Sequence, residues 1–155
     1  MTRSRLNGSP RRNLFTFLKE EAESVRGGRY AVKRGAVNWV RWDFKASPYG
    51  IAICHDQGFL FGGTGKAGAR RGTVTLEMAA KMRRYPGDQA DGFDEELVDE
   101  LLDDAASIVD AAARAQNAMK QPLLIGFMRG NVTFVEFHDA QLGVQGVVVE
   151  FEVDY

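Results

Sequence analysis

The feature that most constrains the fold is a run of alternating residues at 144–155. Apolar and acidic side chains take turns there: Val147, Val149, Phe151, Val153 and Tyr155 alternate with Glu150, Glu152 and Asp154. Successive side chains of a β-strand point to opposite faces of the sheet, so this period of two predicts a strand with an apolar inward face and an acidic outward face. The chain is therefore expected to contain a sheet that is buried on one side.

Two other segments have the periodicity of amphipathic helices. The first helix is predicted over 13–25, with Gly27–Gly28 ending it; its apolar positions are Leu14, Phe15, Leu18, Ala22 and Val25. The second is predicted over 93–117, with Asp91 as its N-cap; its buried stripe is Leu97, Leu101, Ala105, Ile108 and Ala112. Acidic residues in the first turns and Arg114 near the end suit the dipole of the second helix.

Shorter patterns predict further strands and complete the fold class. Residues 36–45 alternate so that Val40, Trp42 and Phe44 share one face, which favours a core strand. The other predicted strands are 51–55 and 58–61 with a hairpin turn at 56–58, then 73–82, 123–129 and 132–138. The order of elements indicates an α+β fold, a mainly antiparallel β-sheet packed with two principal α-helices. We expect one domain over 1–155, with 1–9 as a flexible basic arm.

The composition fits a soluble globular protein and excludes several classes. Hydrophobic residues make up 45% of the 155 and charged residues 26%, which excludes a wholly disordered chain. The single cysteine, Cys54, cannot form an internal disulfide or a cysteine-type zinc cluster. No apolar run approaches the roughly 20 residues of a membrane-spanning helix. We therefore expect no membrane partner.

The net charge of −1 conceals a strong polarity along the chain. Residues 1–86 contain 17 Lys and Arg against 6 Asp and Glu, a net charge of +11. Residues 87–155 contain 3 Lys and Arg against 15 Asp and Glu, a net charge of −12. Opposite patches on one molecule favour head-to-tail contacts between copies, which close into a ring where the rotation permits.

The glycine-rich segment 62–72 has the spacing of a nucleotide-binding loop in the wrong context. Gly63, Gly65 and Gly68 fit G-x-G-x-x-G, but a dinucleotide site needs the last glycine to open a helix. Here a strand pattern follows, so we interpret the segment as a flexible basic hairpin loop. Three of its basic residues could touch a phosphate backbone or an acidic neighbour: Lys66, Arg70 and Arg71.

No combination of residues predicts catalysis. Cys54, His55 and Asp56 are adjacent on a predicted strand, so their side chains alternate between faces and do not converge as a nucleophile and base. His138, the second of two histidines, has only Asp139 beside it in sequence. The acids of 91–104 lie on a predicted exposed helix face, which leaves a small hydrolase open but unsupported. We expect no enzyme, no cofactor and no metal site.

The order of elements resembles the tail terminator (tail completion) proteins of tailed bacteriophages, the group typified by phage lambda. The similarity covers most of 10–155 in pattern and length. It is carried by NLFTFLKEEAESV, TVTLEMAAKM, FDEELVDELLDDAASIVDAAA and the closing GVQGVVVEFEVDY. The strand at 36–45 and the loop at 62–72 do not map onto the family.

This resemblance implies a structural virion protein at the tail–neck junction, made in the host cytoplasm. Members form a hexameric ring that caps the finished tail tube and presents a surface to the head–neck connector proteins. Ring loops that face the lumen would lie near the DNA, a place for Lys66, Arg70 and Arg71. The charge split suggests an inter-subunit interface between two sets of residues: basic Arg83 and Arg84 of one copy, and acidic Asp94, Glu95, Glu96 and Asp99 of its neighbour.

A second function of a different class remains open at this point. The basic arm, with Arg3, Arg5, Arg11 and Arg12, and the loop at 62–72 could form a nucleic-acid-binding accessory domain. That alternative predicts an affinity for DNA that falls steeply with salt.

Overall fold

A computed structural model describes residues 10–55, 60–61, 70–82, 94–118, 127–139 and 143–154. Within these ranges the chain forms two α-helices, α1 (Pro10–Ser24) and α2 (Glu95–Ala118), and a 3-10 turn over Val25–Gly27. It also forms six strands: β1 (Ala31–Arg34), β2 (Tyr49–His55), β3 (Leu60–Phe61), β4 (Arg70–Lys81), β5 (Phe127–Asp139) and β6 (Val144–Asp154).

All six strands belong to one sheet, in which five follow the order β1-β2-β4-β6-β5 and β3 lies off this path. β1 runs parallel to β2, and every other neighbouring pair is antiparallel. β3 pairs with β4 beyond the end of β2, on the same edge of β4. The predicted α+β class, with a mainly antiparallel sheet and two principal helices, is confirmed.

Both helices pack on one face of this sheet, which we call the helix-covered face. The alternating residues of β4 and β6 that point toward the helices are fully buried, among them Leu76, Met78, Val149 and Phe151. They share one apolar cluster with Leu18 of α1 and with the α2 stripe. The predicted stripe of α2 and the predicted inward residues Val147, Val149, Phe151 and Val153 of β6 are therefore confirmed. In the predicted first helix, Leu14, Phe15, Leu18 and Ala22 are buried, and Val25 is partly buried against the same cluster.

The predicted strand at 36–45 is wrong, since this segment consists of turns. Local hydrogen bonds compete with a ladder: the Asn38 side chain accepts from the Val40 amide, and Asp43 accepts from the amides of Lys45 and Ala46. Val40, predicted to face the core, is 68% exposed. Aromatic residues and an alternating pattern suggested a strand, but side-chain-to-backbone bonds of Asn and Asp fold the segment back on itself.

The strand preceding that segment was not predicted, because β1 has only four residues and no alternation of apolar and polar side chains. The predicted hairpin between 51–55 and 58–61 is also wrong. β2 and β3 both run antiparallel to β4 on one edge, so they point the same way and cannot form a hairpin with each other. β3 instead pairs antiparallel with β4.

Three element boundaries differ from the prediction. α1 starts at Pro10, so Arg11 and Arg12 belong to the helix and not to a flexible arm; a proline suits the first turn, where its missing N–H costs nothing. β4 starts at Arg70, so Arg70 and Arg71 lie in a strand and not in the loop. The two strands predicted at 123–129 and 132–138 are one strand with a register shift between Arg129 and Thr133. Residues 1–9, 56–59, 62–69, 83–93, 119–126, 140–142 and 155 lie outside the described residues, so the predicted inward position of Tyr155 does too.

Candidate interaction surface

The sheet face turned away from the helices, called here the opposite face, has a different composition. Its residues are polar, small or only partly buried: Ala52 and Cys54 of β2, Thr75, Glu77 and Ala79 of β4, Val148 and Glu150 of β6, and Val135 and Phe137 of β5. Within the described ranges no helix lies on it. The apolar core of the fold therefore lies on the helix-covered face, and the opposite face is the part of the sheet to search for an interaction surface.

A small aromatic cluster covers the β1–β2 side of the opposite face. The rings of Trp39 and Trp42 lie 5.1 Å apart, with Phe44 beside both. A Cβ built on Gly50 would come within 2.8 Å of both indoles, so glycine is what allows the rings to lie directly on the backbone of β2. The Trp42 indole N–H donates to the Ser47 carbonyl at 2.9 Å. The cluster thus forms a lid of aromatic side chains over one side of the sheet.

The other side of the sheet ends in an edge strand, β5, that exposes large apolar side chains. Phe134 is 40% exposed and Val135 54% exposed, and only Val40 joins them as an exposed large hydrophobic residue in the described part of the chain. β5 pairs with β6 along one side, and no other described strand pairs with it. A long edge strand with exposed apolar side chains is a ready template for pairing with another chain.

The two edges of the sheet carry opposite charge. β1, at one edge, has Lys33 and Arg34 exposed, and the Arg34 guanidinium lies 4.5 Å from the centre of the Phe15 ring. β5, at the other edge, has Glu136 and Asp139 exposed. The charge split of the sequence therefore persists in the fold as a difference between two edges.

Part of that charge split is neutralised by ion pairs within the chain. Arg26, just after α1, forms an ion pair with Asp104 of α2. Its Nε–H donates to both carboxylate oxygens of Asp104, each at 2.9 Å. Arg29 pairs with Glu100 at 2.9 Å. These contacts fasten the basic segment after α1 to the acidic helix.

Asp104 is the centre of this network and is only 4% exposed. It also accepts a hydrogen bond from the buried Tyr30 hydroxyl. Burial, and then the hydrogen bond to Asp104, raise the pKa of Tyr30 above its ordinary value. The same carboxylate raises the pKa of Arg26. Sequence reasoning missed this network, although Asp104 lies three residues after Leu101 and seven after Leu97, a helical spacing that places it on the face of the buried stripe.

The predicted interface residues divide into two groups. Asp94 is 3% exposed and caps α2, since its carboxylate accepts from the Leu97 amide at 3.2 Å. Its own amide donates to Oε1 of buried Gln145 in β6. The predicted N-cap at Asp91 is therefore wrong, and Asp94 does not lie on an exposed face. The remaining acids of the set are exposed on the first turns of α2: Glu95, Glu96 and Asp99.

The basic residues predicted to meet them or to face DNA are not brought together. Arg83, Arg84 and Lys66 lie outside the described residues. The backbones of Arg70 and Arg71 pair with β3, and that of Arg71 also pairs with β6, at the start of β4. Because Arg70 and Arg71 belong to β4, the predicted basic loop at 62–72 ends before Arg70.

Cys54 lies on the opposite face, partly buried. Burial, and then the nearby Glu77 carboxylate, raise the pKa of its thiol. A raised pKa lowers the thiolate fraction, which is the reactive form. Within the described ranges, no three His, Cys, Asp or Glu side chains gather as a metal site would require.

A scan against protein-family models and a search of curated proteins returned no match for this chain. No helix in the described ranges has the length and apolar character needed to cross a membrane.

Proposed function

We propose that this chain is a structural subunit of a bacteriophage tail, which forms a ring at the end of the tail tube and joins it to the head–neck connector proteins. The observation that carries the proposal is the outer edge of β5, with exposed Phe134 and Val135, to which no other described strand pairs. Exposed apolar area on a sheet edge is costly for a protein that remains a monomer and useful for one that assembles.

The arrangement of elements supports the family resemblance. The segments that carry it correspond to α1, β4, α2 and β6, the elements that supply most of the buried core. Neither the network around Asp104 nor the lid of Trp39 and Trp42 contains a convergent nucleophile and base. A surface that binds other proteins accounts for these features better than an active site does.

Other contacts of the ring follow from the charges. Glu95, Glu96 and Asp99 on the first turns of α2 are proposed to face Arg83 and Arg84 of the neighbouring copy, without Asp94. Lys66, Arg70 and Arg71 are proposed to face the lumen, where DNA would pass. The tail tube protein and the head–neck proteins are the proposed partners on either side of the ring.

Negative-stain imaging and light scattering of the purified full chain test this proposal. We expect six-fold rings, and rings at the ends of tail tubes when tube protein is added. Wild type is compared with Val135→Asp, which places a charge on the exposed edge and should yield monomers with an unchanged circular dichroism spectrum. A wild type that remains monomeric at all concentrations and shifts DNA in gels would overturn the proposal in favour of the nucleic-acid-binding alternative.

A further inference from the structure

We propose that the contact between neighbouring copies is an antiparallel β-pairing, in which the β5 edge of one copy joins the β1 edge of the next. This inference rests on the proposed self-assembly and adds to it the surfaces that meet. It makes the contact heterologous, because two different edges come together, and repetition of such a contact closes a ring.

Strand direction permits this pairing. β1 and β2 run together, and each step from β2 through β4 and β6 to β5 reverses direction. β5 is therefore antiparallel to β1. When neighbouring copies are related by rotation about an axis along the strands, β5 of one copy meets β1 of the next in antiparallel orientation, the more stable of the two modes.

Charge is complementary on both faces of the sheet. Arg34 lies on the helix-covered face, where it packs over Phe15, and Glu136 shares that face because it pairs with buried Val147. Lys33 lies on the opposite face, paired with Ala52, and Asp139 shares that face through its pairing with Val144. Each face of the new contact thus brings a cation on β1 toward an anion on β5.

The exposed apolar side chains are complementary in the same way. Val135 points to the opposite face, since it pairs with Val148. Val40 lies in the segment that covers the opposite face beside β1 and β2. Joining the edges brings these two valines to the same face of the extended sheet, where both can be buried. Pairing of β5 with a second β5 would instead bring acidic edge against acidic edge and leave Val40 exposed.

A charge exchange across the contact tests the pairing. Arg34→Glu changes the β1 edge and Glu136→Arg changes the β5 edge. Each variant alone places like charges at every contact, and we expect its subunit dissociation constant to rise about tenfold or more, with loss of rings. A 1:1 mixture should restore rings, because every contact is then either wild type or charge-exchanged.

Lys33→Glu serves as a second β1-edge variant that leaves the Arg34–Phe15 contact intact. Arg114→Glu, an exposed charge reversal on α2, is the matched control and should assemble as wild type does. Thermal denaturation by circular dichroism verifies that each variant is folded.

The outcomes separate the pairing from the proposed function. Wild-type rings with no effect of the edge variants would overturn the pairing and leave ring formation standing. Assembly that is strengthened by Glu136→Arg and unaffected by Arg34→Glu and Lys33→Glu would overturn it in favour of β5 self-pairing, because that contact brings acidic edge against acidic edge. A wild type without rings would overturn the proposed function itself.

Discussion

The helix-covered face and the opposite face of the sheet are built from the same strands but differ in how deeply their side chains are buried. On the helix-covered face, Leu76, Val149 and Phe151 are fully buried within the chain. On the opposite face, Thr75, Val148 and Cys54 are only partly covered, and Val135 at its edge is more than half exposed. One face completes the fold inside a single chain. The other, together with the two edges, leaves surface that no described part of the chain covers.

The largest effect expected from this difference is on folding stability. Phe151→Ala should lower the free energy of unfolding by about 3–5 kcal/mol, because it removes a large buried ring and leaves a cavity. Thr75→Ala, on the opposite face of β4, should change it by less than about 0.5 kcal/mol. Urea denaturation of both variants measures the contrast. Equal losses would mean that the two faces do not differ as described.

Glycines on the opposite face give the next largest effect. A Cβ at Gly146 would overlap the Met78 backbone carbonyl and the Phe137 ring, so Gly146→Ala should destabilise the protein by about 1–3 kcal/mol. At Gly50 the obstacles are the side chains of Trp39 and Trp42, which can shift. Gly50→Ala should therefore cost less and should alter tryptophan emission. Urea denaturation followed by fluorescence distinguishes the two, and a costlier Gly50→Ala would contradict the fixed backbone contact at Gly146.

The network on the helical side should contribute less than the core. Asp104→Ala leaves the buried Tyr30 hydroxyl and the Arg26 guanidinium without their acceptor, and we expect a loss of about 2 kcal/mol. The neighbouring Asp103 is exposed, so Asp103→Ala removes the same group at little cost. Chemical denaturation at neutral pH compares them. Equal stabilities of the two variants would show that the network does not fasten α2 to the segment after α1.

A smaller effect is predicted for Tyr30, and this effect changes with pH in the alkaline range. Burial raises the pKa of Tyr30 in the folded state, whereas in the unfolded chain it titrates near its ordinary value of about 10. The unfolded state therefore loses this proton first, so the contribution of Tyr30 to stability is complete below about pH 10 and is lost as the pH rises further. Tyr30→Phe should cost about 1 kcal/mol at neutral pH and show a shallower alkaline decline. Parallel pH profiles would contradict this assignment.

Periodicity predicted the elements in which many residues of one kind repeat. β6, β4 and the stripe of α2 each place several apolar side chains at a fixed interval, so a single exception does not obscure the pattern. It failed where few residues decide the structure. β1 has four residues, and the turns at 36–48 depend on Asn38 and Asp43.

For the candidate interaction surface, the sequence predicted the separation of charge between the two halves of the chain, but not the residues that form the surface. The difference between the two halves of the chain was visible in the sequence, but strand order determines which charges reach an edge. β1, β2 and β4 come from the basic half of the chain and lie on one side of the sheet, whereas β6 and β5 come from the acidic half and lie on the other. β1 and β5 are therefore the strands that remain at the two edges. The sequence also did not show which acids of α2 and its N-cap are buried. Asp104 and Asp94 are buried because they form hydrogen bonds with other parts of the same chain.

Hydrogen–deuterium exchange of the wild-type chain as a function of concentration tests the central claim most directly. The account predicts that assembly protects amides in two peptides together, the one containing β1 and the one containing 134–139 of β5, while core amides of β4 stay unchanged. Protection that rises with concentration in α2 alone, or in β5 without β1, would contradict the claim that the two edges of the sheet meet.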